Sequence, residues 1–336
     1  EVSTGLLPSA LGIGGKTRQN DLDIAFQFTF FVGANATNAG SGSFSNNGAG
    51  GNSLNIRQAF MTFGDASWGT IKMGRDLGLF GSDAILSDMT LLGVGQGAGG
   101  AGSSTLGRIG AGYLYADWVG QIQYASPNWN GFSFAAAIRE PWGNSSNSTL
   151  GYDGKVAYEW AGDAAGKVWA GYIHQKLRST STATSDNSNT ASAWEIGGKV
   201  GYAGFGLVAY YYDGQNMGLP AIANATELTG LFLANNGTKD HDVRGGYVQG
   251  TYTIPGPGTK IGLSWGESRY DRNSTNPSAT TANFRDESWI VGVYHPLTKS
   301  LNLVAEYTDT QIDNNLLQST LDGSARTIAL GAILFF

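Results

Sequence analysis

A period of two keeps returning along this chain, and that recurrence narrows the possible folds more than any other feature. The closing stretch reads "RTIALGAILFF". Phe336, Leu334, Ala332, Leu330 and Ile328 are apolar, and Gly331, Ala329 and Thr327 between them are small or polar. Side chains alternate faces along a strand, so this is a strand with one oily face. In "KVAYEW", Val156, Tyr158 and Trp160 oppose Lys155, Ala157 and Glu159. In "AWEIGGKVGY", Trp194, Ile196, Gly198, Val200 and Tyr202 oppose Glu195, Gly197, Lys199 and Gly201. In "SLNLVAEYT", Leu301, Leu303, Ala305 and Tyr307 oppose Asn302, Val304, Glu306 and Thr308. A soluble sheet could own one such strand, but here the pattern spans the chain. Strands are expected at 20–32, 54–63, 67–75, 115–125, 130–139, 154–161, 166–177, 193–202, 204–213, 242–254, 258–269, 286–295, 298–309 and 324–336, with a weaker one at 9–17. No helical period interrupts them.

Composition says what covers the oily faces. Charged residues make up 14% of the chain, against roughly 25% in soluble domains. Glycine is abundant at 51 residues, and the mean hydropathy of −0.16 is not oily overall. A sheet wetted on one side and lipid-covered on the other needs this balance. A soluble sandwich would bury more Leu, Ile and Val and carry more surface charge. No run of 18 apolar residues is present, so no transmembrane helix is expected. Trp118, Tyr124, Trp129, Trp160, Tyr202 and Tyr294 crowd strand ends and suit interfacial girdles.

The connections alternate in length. Short ones lie near 64–67, 126–130, 162–165, 203–204, 255–258 and 296–298. Long ones, rich in Asn, Ser, Gly and Thr, lie at 33–53, 76–114, 140–153, 178–192, 214–241, 270–285 and 310–323. Short turns on one rim and long loops on the other are the arrangement of an outer-membrane barrel, with the short turns on the periplasmic side. The chain opens mid-stream on "EVSTGLLPSA", so it is expected to begin inside a longer one.

Other chemistry is weakly supported. With no cysteine there is no disulfide framework and no thiolate metal site. A net charge of −6 argues against a nucleic-acid partner. "GLSWG" at 262–266 fits G-x-S-x-G but lies inside a strand. "GQGAGG" at 95–100 fits a dinucleotide fingerprint but lacks a strand–helix unit. The only histidines, His174, His241 and His295, fall at different heights, which disfavours a triad or a histidine metal site. No enzyme activity, cofactor or metal is expected.

The whole chain resembles the general diffusion porins of Gram-negative bacteria. The resemblance is carried by "IRQAFMTFGDASWGTIKMGRDLGLFGSDA", by "GRIGAGYLYADWVGQIQYASPNWNGFSFAAAI" and by the terminal Phe336. It implies an all-β, transmembrane antiparallel barrel of 16 strands filling one domain over 1–336. The third loop, 76–114, would fold inward to form a constriction, and the first strand would be missing or partial here. It also implies a homotrimer in the outer membrane, in contact with lipid and lipopolysaccharide, and assembly machinery that reads Phe336. The function implied is passive diffusion of ions and small hydrophilic solutes, with a substrate-specific channel for sugars or organic anions as the alternative. An enzyme or a purely structural barrel is a third, less favoured reading. In the family's eyelet, acidic groups of the third loop face arginines of the wall. By residue-wise match, Arg57, Arg75 and Arg108 would be the wall cluster, and Asp83 and Asp88 the loop carboxylates. Three arginines against two aspartates imply a weak anion preference. Gln58 and Thr62, read as outward-facing, would mark a subunit contact.

Overall fold

The computed structural model describes residues 2, 4–32, 55–95, 105–140, 149–178, 188–217, 241–272, 283–314 and 323–336. Fifteen strands form one antiparallel sheet. They are β1 (Ser9–Gln19), β2 (Leu22–Val32), β3 (Asn55–Asp65), β4 (Gly69–Leu77), β5 (Trp118–Ala125), β6 (Phe132–Arg139), β7 (Gly151–Trp160), β8 (Ala164–Arg178), β9 (Ser188–Tyr202), β10 (Phe205–Gln215), β11 (His241–Thr253), β12 (Lys260–Arg272), β13 (Asn283–Pro296), β14 (Leu301–Asn314) and β15 (Gly323–Leu334). Each strand pairs with its neighbour in sequence, and β1 and β15 remain the two edges. All fifteen segments read from the sequence are strands. The expected sixteenth is not found among the described residues. Residues 4–8 instead pack inward: Leu6 is buried, and its N–H donates to the carbonyl of Gly93 at 3.2 Å.

The hairpin turns explain the tight rim. Asn20 and Asp21 both take positive φ (48° and 62°), as do Ala203 and Gly204 (49° and 86°). Two consecutive left-handed residues match the twist of the flanking strands, which is what a two-residue hairpin requires. The faces alternate as expected. On β12, Ile261 and Leu263 are exposed outward, while Ser264 and Ser268 are buried inside. Along β5 to β6, Ile122 and Ile138 point out, and Gln121, Gln123 and Arg139 point in.

Three details differ from the sequence reading. Tyr294 is not a girdle residue: it faces inward, is 9% exposed and donates its hydroxyl to Glu306 at 2.7 Å. Trp118 packs inward against Phe31, with ring centroids 6.0 Å apart. Gln58 and Thr62 lie on the inner face, not the outer one. Thr62 aligns with Lys72, and Lys72 with the buried Gln123, while Met61, Met73 and Ile122 form the exposed row. The cause is a bulge: the β2–β3 register shifts between Thr29 and Phe30, and Arg57 is the extra residue. A bulge lets Arg57 and Gln58 point the same way, which strict alternation forbids.

The core lies inside the barrel. Its largest cluster joins Phe80, Ile85, Leu106, Ile109, Tyr113 and Leu114 of the loop after β4 to Trp169, Ile173, Tyr210, Tyr212 and Tyr247 of the wall. Gly197 makes room for one of these contacts, since a Cβ there would sit 2.2 Å from the Trp169 indole.

Candidate functional site

The loop between β4 and β5, here called L3, folds into the barrel. Its described parts are 78–95 and 105–117. They contain helix α1 (Ser82–Ser87) and a 3-10 turn (Met89–Leu92), neither of which the strand pattern anticipated. Gly81 enters α1 with φ of 77°, a left-handed geometry that glycine adopts without strain. Asp88 caps the 3-10 turn, accepting from the Thr90 N–H at 2.9 Å.

L3 is seated by side chains of the wall. Asp153 of β7 accepts from the Leu79 N–H at 3.1 Å, and Glu195 of β9 from the Gly81 N–H at 2.8 Å. Gln249 of β11 grips both ways, accepting from the Met89 N–H at 2.7 Å and donating to the Ser87 carbonyl at 3.0 Å. Glu306 of β14 accepts from the Val94 N–H at 2.8 Å and from the Gly95 N–H. Tyr247 donates to the Ala84 carbonyl at 2.8 Å. Buried backbone N–H groups must be paired, and here three wall carboxylates and the Gln249 amide oxygen pair them. The glycine run between Gly95 and Thr105 lies outside the described residues.

Each residue expected to line the pore has a definite place. Asp83 lies between two lysines, 2.7 Å from Lys155 and 2.6 Å from Lys167. Burial alone would raise its pKa, but the two cations outweigh burial and hold the carboxyl below its ordinary range. Asp88 is 4% exposed and ties the two halves of L3 together. It accepts from the Arg108 N–H at 3.2 Å, the Tyr113 hydroxyl at 2.8 Å and the Thr90 hydroxyl at 2.8 Å. Arg108 is fully buried, and burial pulls its guanidinium down to about 10, still charged at neutral pH. It donates to Ser264, to the Ala111 carbonyl at 3.0 Å, and to the hydroxyl and carbonyl of Ser288 at 3.1 and 3.2 Å. Arg57 is buried on β3, stacked 4.4 Å over the Phe31 ring. Contrary to expectation, Arg75 on β4 does not face the pore: it lies two residues from Met73 and directly opposite Gly120, in the outward row of Met61, Met73 and Ile122, 40% exposed and 3.8 Å from Glu140.

The fold therefore brings Asp88 and Arg108 together on L3 and sets Asp83 apart with two wall lysines. Sequence reasoning missed the seat itself: Asp153, Glu195, Gln249, Glu306, Ser264 and Ser288. Their only signal was polarity on the inward face of otherwise apolar strands. Ser264 belongs to the "GLSWG" stretch, and its hydroxyl accepts from the Arg108 guanidinium.

An antiparallel meander with an oily outer face, a polar inner face and a long loop folded inside is a membrane-spanning β-barrel of the channel-forming kind. The chain belongs to the Gram-negative porin family, whose model matches residues 3–315. It is an outer-membrane protein. Solved structures share the fold at low identity. The outer membrane channel DcaP of Acinetobacter baumannii is 14% identical, covering 98% of this chain and 86% of its own, with a TM-score of 0.68. OmpF of Salmonella typhi, in complex with daunomycin, is 19% identical over 96% and 89%, with a TM-score of 0.64. OmpT of Vibrio cholerae, in its trimer form, is 14% identical over 98% and 92%, with a TM-score of 0.63. No curated protein matches the sequence.

Proposed function

We propose that the protein passes ions and small hydrophilic solutes by passive diffusion, without catalysis, through a pore narrowed by L3. The observation that carries this reading is the seating of L3 inside the barrel on Asp153, Glu195, Gln249 and Glu306. Four of the five charged residues take two roles. Asp83, Asp88 and Arg108 hold the constricting loop in place. Arg57, on the inner face of β3, contributes field to passing ions, while Arg75 lies on the outward face of β4 beside Glu140. The working unit is a homotrimer in contact with outer-membrane lipid and lipopolysaccharide. Phe336, fully exposed at the end of β15, serves as the assembly signal.

Planar-bilayer recording of the purified protein tests the reading. Wild type should give large ohmic steps in groups of three. Deleting most of 80–105 should raise the single-channel conductance. Unchanged conductance in the deletion would remove L3 from the constriction, and absence of steps in wild type would end the channel reading.

A further inference from the structure

L3 turns an apolar surface to the pore. Among its described residues, Leu86 and Leu92 alone are exposed, at 58% and 44%. Its charged groups Asp83, Asp88 and Arg108 are buried in the seat, and Asp117 is half-buried. The stretch between Gly95 and Thr105, "QGAGGAGSS", holds no charged residue. In α1 the buried Asp83, Ala84 and Ile85 face the wall, which leaves Leu86 on the free side. One exposed leucine is ordinary on a protein surface. Here two of them form the exposed side of the described loop, at the narrowing where a passing solute makes contact.

A cation stands close to this lip. Leu92 is followed by Gly93, where a Cβ would lie 3.1 Å from the Tyr294 ring. Lys260 of β12 holds its ammonium 4.7 Å from the centre of the same ring. Two residues further along that face of β12, a Cβ at Gly262 would meet the sulfur of Met89, so Lys260 lies on the short-turn side of L3. Lys155 and Lys167 are taken by Asp83, and Lys72 by Asp76. Lys260 has no ion pair among the described residues. The carboxylates whose charge reaches it, Asp88 and Glu306, already accept hydrogen bonds from L3 and from Tyr294. An apolar lip beside an ammonium without a paired carboxylate suits a solute with an apolar body and one anionic end.

We propose that the narrowing favours short-chain aliphatic monocarboxylates. The chain lies on Leu86 and Leu92, and the carboxylate meets Lys260. The inference rests on the channel reading above and gives it a solute class. Planar-bilayer recording of the purified oligomer tests it, with sodium acetate, butanoate and hexanoate added to potassium chloride as blockers of the ion current. In wild type the half-blocking concentration should fall about twofold for each added methylene, against about fourfold for a methylene buried completely. L86N/L92N, close to wild type in volume, should flatten that dependence. Should this variant not insert, Leu86→Ala and Leu92→Ala singly should each weaken it. K260Q should raise every half-blocking concentration severalfold and keep the dependence on chain length. A half-blocking concentration that stays level or rises with chain length in wild type overturns the proposal, as does a chain-length dependence unaltered in the leucine variants. Block unaltered in K260Q would remove the carboxylate from Lys260 and overturn the site as assigned. The steps in potassium chloride alone are read first. Without them the channel reading falls and this one with it, whereas steps without chain-length dependence bring down only this one.

Discussion

Asp88→Ala is the sharpest probe of how L3 is held. Asp88 accepts four hydrogen bonds, from the Thr90 N–H and hydroxyl, the Arg108 N–H and the Tyr113 hydroxyl, all buried. Hydrogen bonds to a charged group contribute about 1.5–3 kcal/mol each, and they are not additive when shared by one carboxylate. Buried donors left without an acceptor cost about 1–3 kcal/mol each. Taking about 3–4 kcal/mol off the seated state, at 1.4 kcal/mol per decade, raises the unseated population by roughly 10²–10³. The strand ladder does not involve Asp88, so the barrel should stay folded. Two assays read the loop. Single-channel records should gain sublevels and noise. Amide hydrogen exchange should quicken at Gly81 and Val94, which bond to Glu195 and Glu306 rather than to Asp88. If only Thr90 and Arg108 lose protection, and the current stays steady, L3 is held in independent pieces and the cooperative seat is wrong.

Asp83 gives an acid response. Lys155 and Lys167 depress its pKa, so its contribution is complete above the ordinary carboxylate value of about 3.9 and fades as pH falls through the lower one. Channel noise should therefore be flat from neutral pH to about pH 5 and rise only below about pH 4. Asp83→Asn should remove that acid step, and an acid step that persists would assign it to another carboxylate. Arg57→Gln should move the zero-current potential in a low-salt gradient toward cations, while Arg75→Gln should leave it unmoved, because Arg57 lies on the inner face and Arg75 on the outward one. Equal shifts in the two variants would put the Arg75 guanidinium in the pore as well. Removing Phe336 should lower the yield of assembled oligomer on semi-native gels without changing the conductance of what inserts, and full assembly would leave it an ordinary terminal aromatic.

The strands were legible because a barrel wall is a local code. Val156, Tyr158 and Trp160 must share a face whatever the rest of the chain does, and lipid on one side makes the alternation visible. Where the code failed, a single backbone event was responsible. The bulge at Arg57 turned Gln58 and Thr62 inward, and nothing in "NIRQAFMTF" marks an inserted residue. Tyr294 failed for a different reason. Its hydroxyl is held by Glu306, a partner on the next strand that periodicity cannot see. The helix in L3 was hidden by its length, since six residues give less than two turns of pattern.

The charges of L3 were legible as positions but not as partners, and the reason lies in the cost of placing a loop inside a barrel. Motif matching finds Asp83, Asp88 and Arg108 and sets them against each other across water. A loop taken off the surface, however, brings its own N–H groups with it, and these need acceptors before any field can be built. The wall supplies Asp153, Glu195, Gln249 and Glu306 to backbone groups at Leu79, Gly81, Met89 and Val94. The loop's own charges then close the remaining gaps, with Asp88 joining its two halves and Arg108 reaching Ser264 and Ser288. Of the five charged residues singled out in the sequence, Arg75 alone is substantially exposed, at 40%, but it is on the outward row of Met73 and Ile122, whereas Arg57, Asp83, Asp88 and Arg108 lie on the inner side. An ion crossing the barrel is screened least from the charges nearest to it. Selectivity should therefore follow the charges of the inner face, Arg57 among them, and conductance should follow the seat that keeps L3 in place.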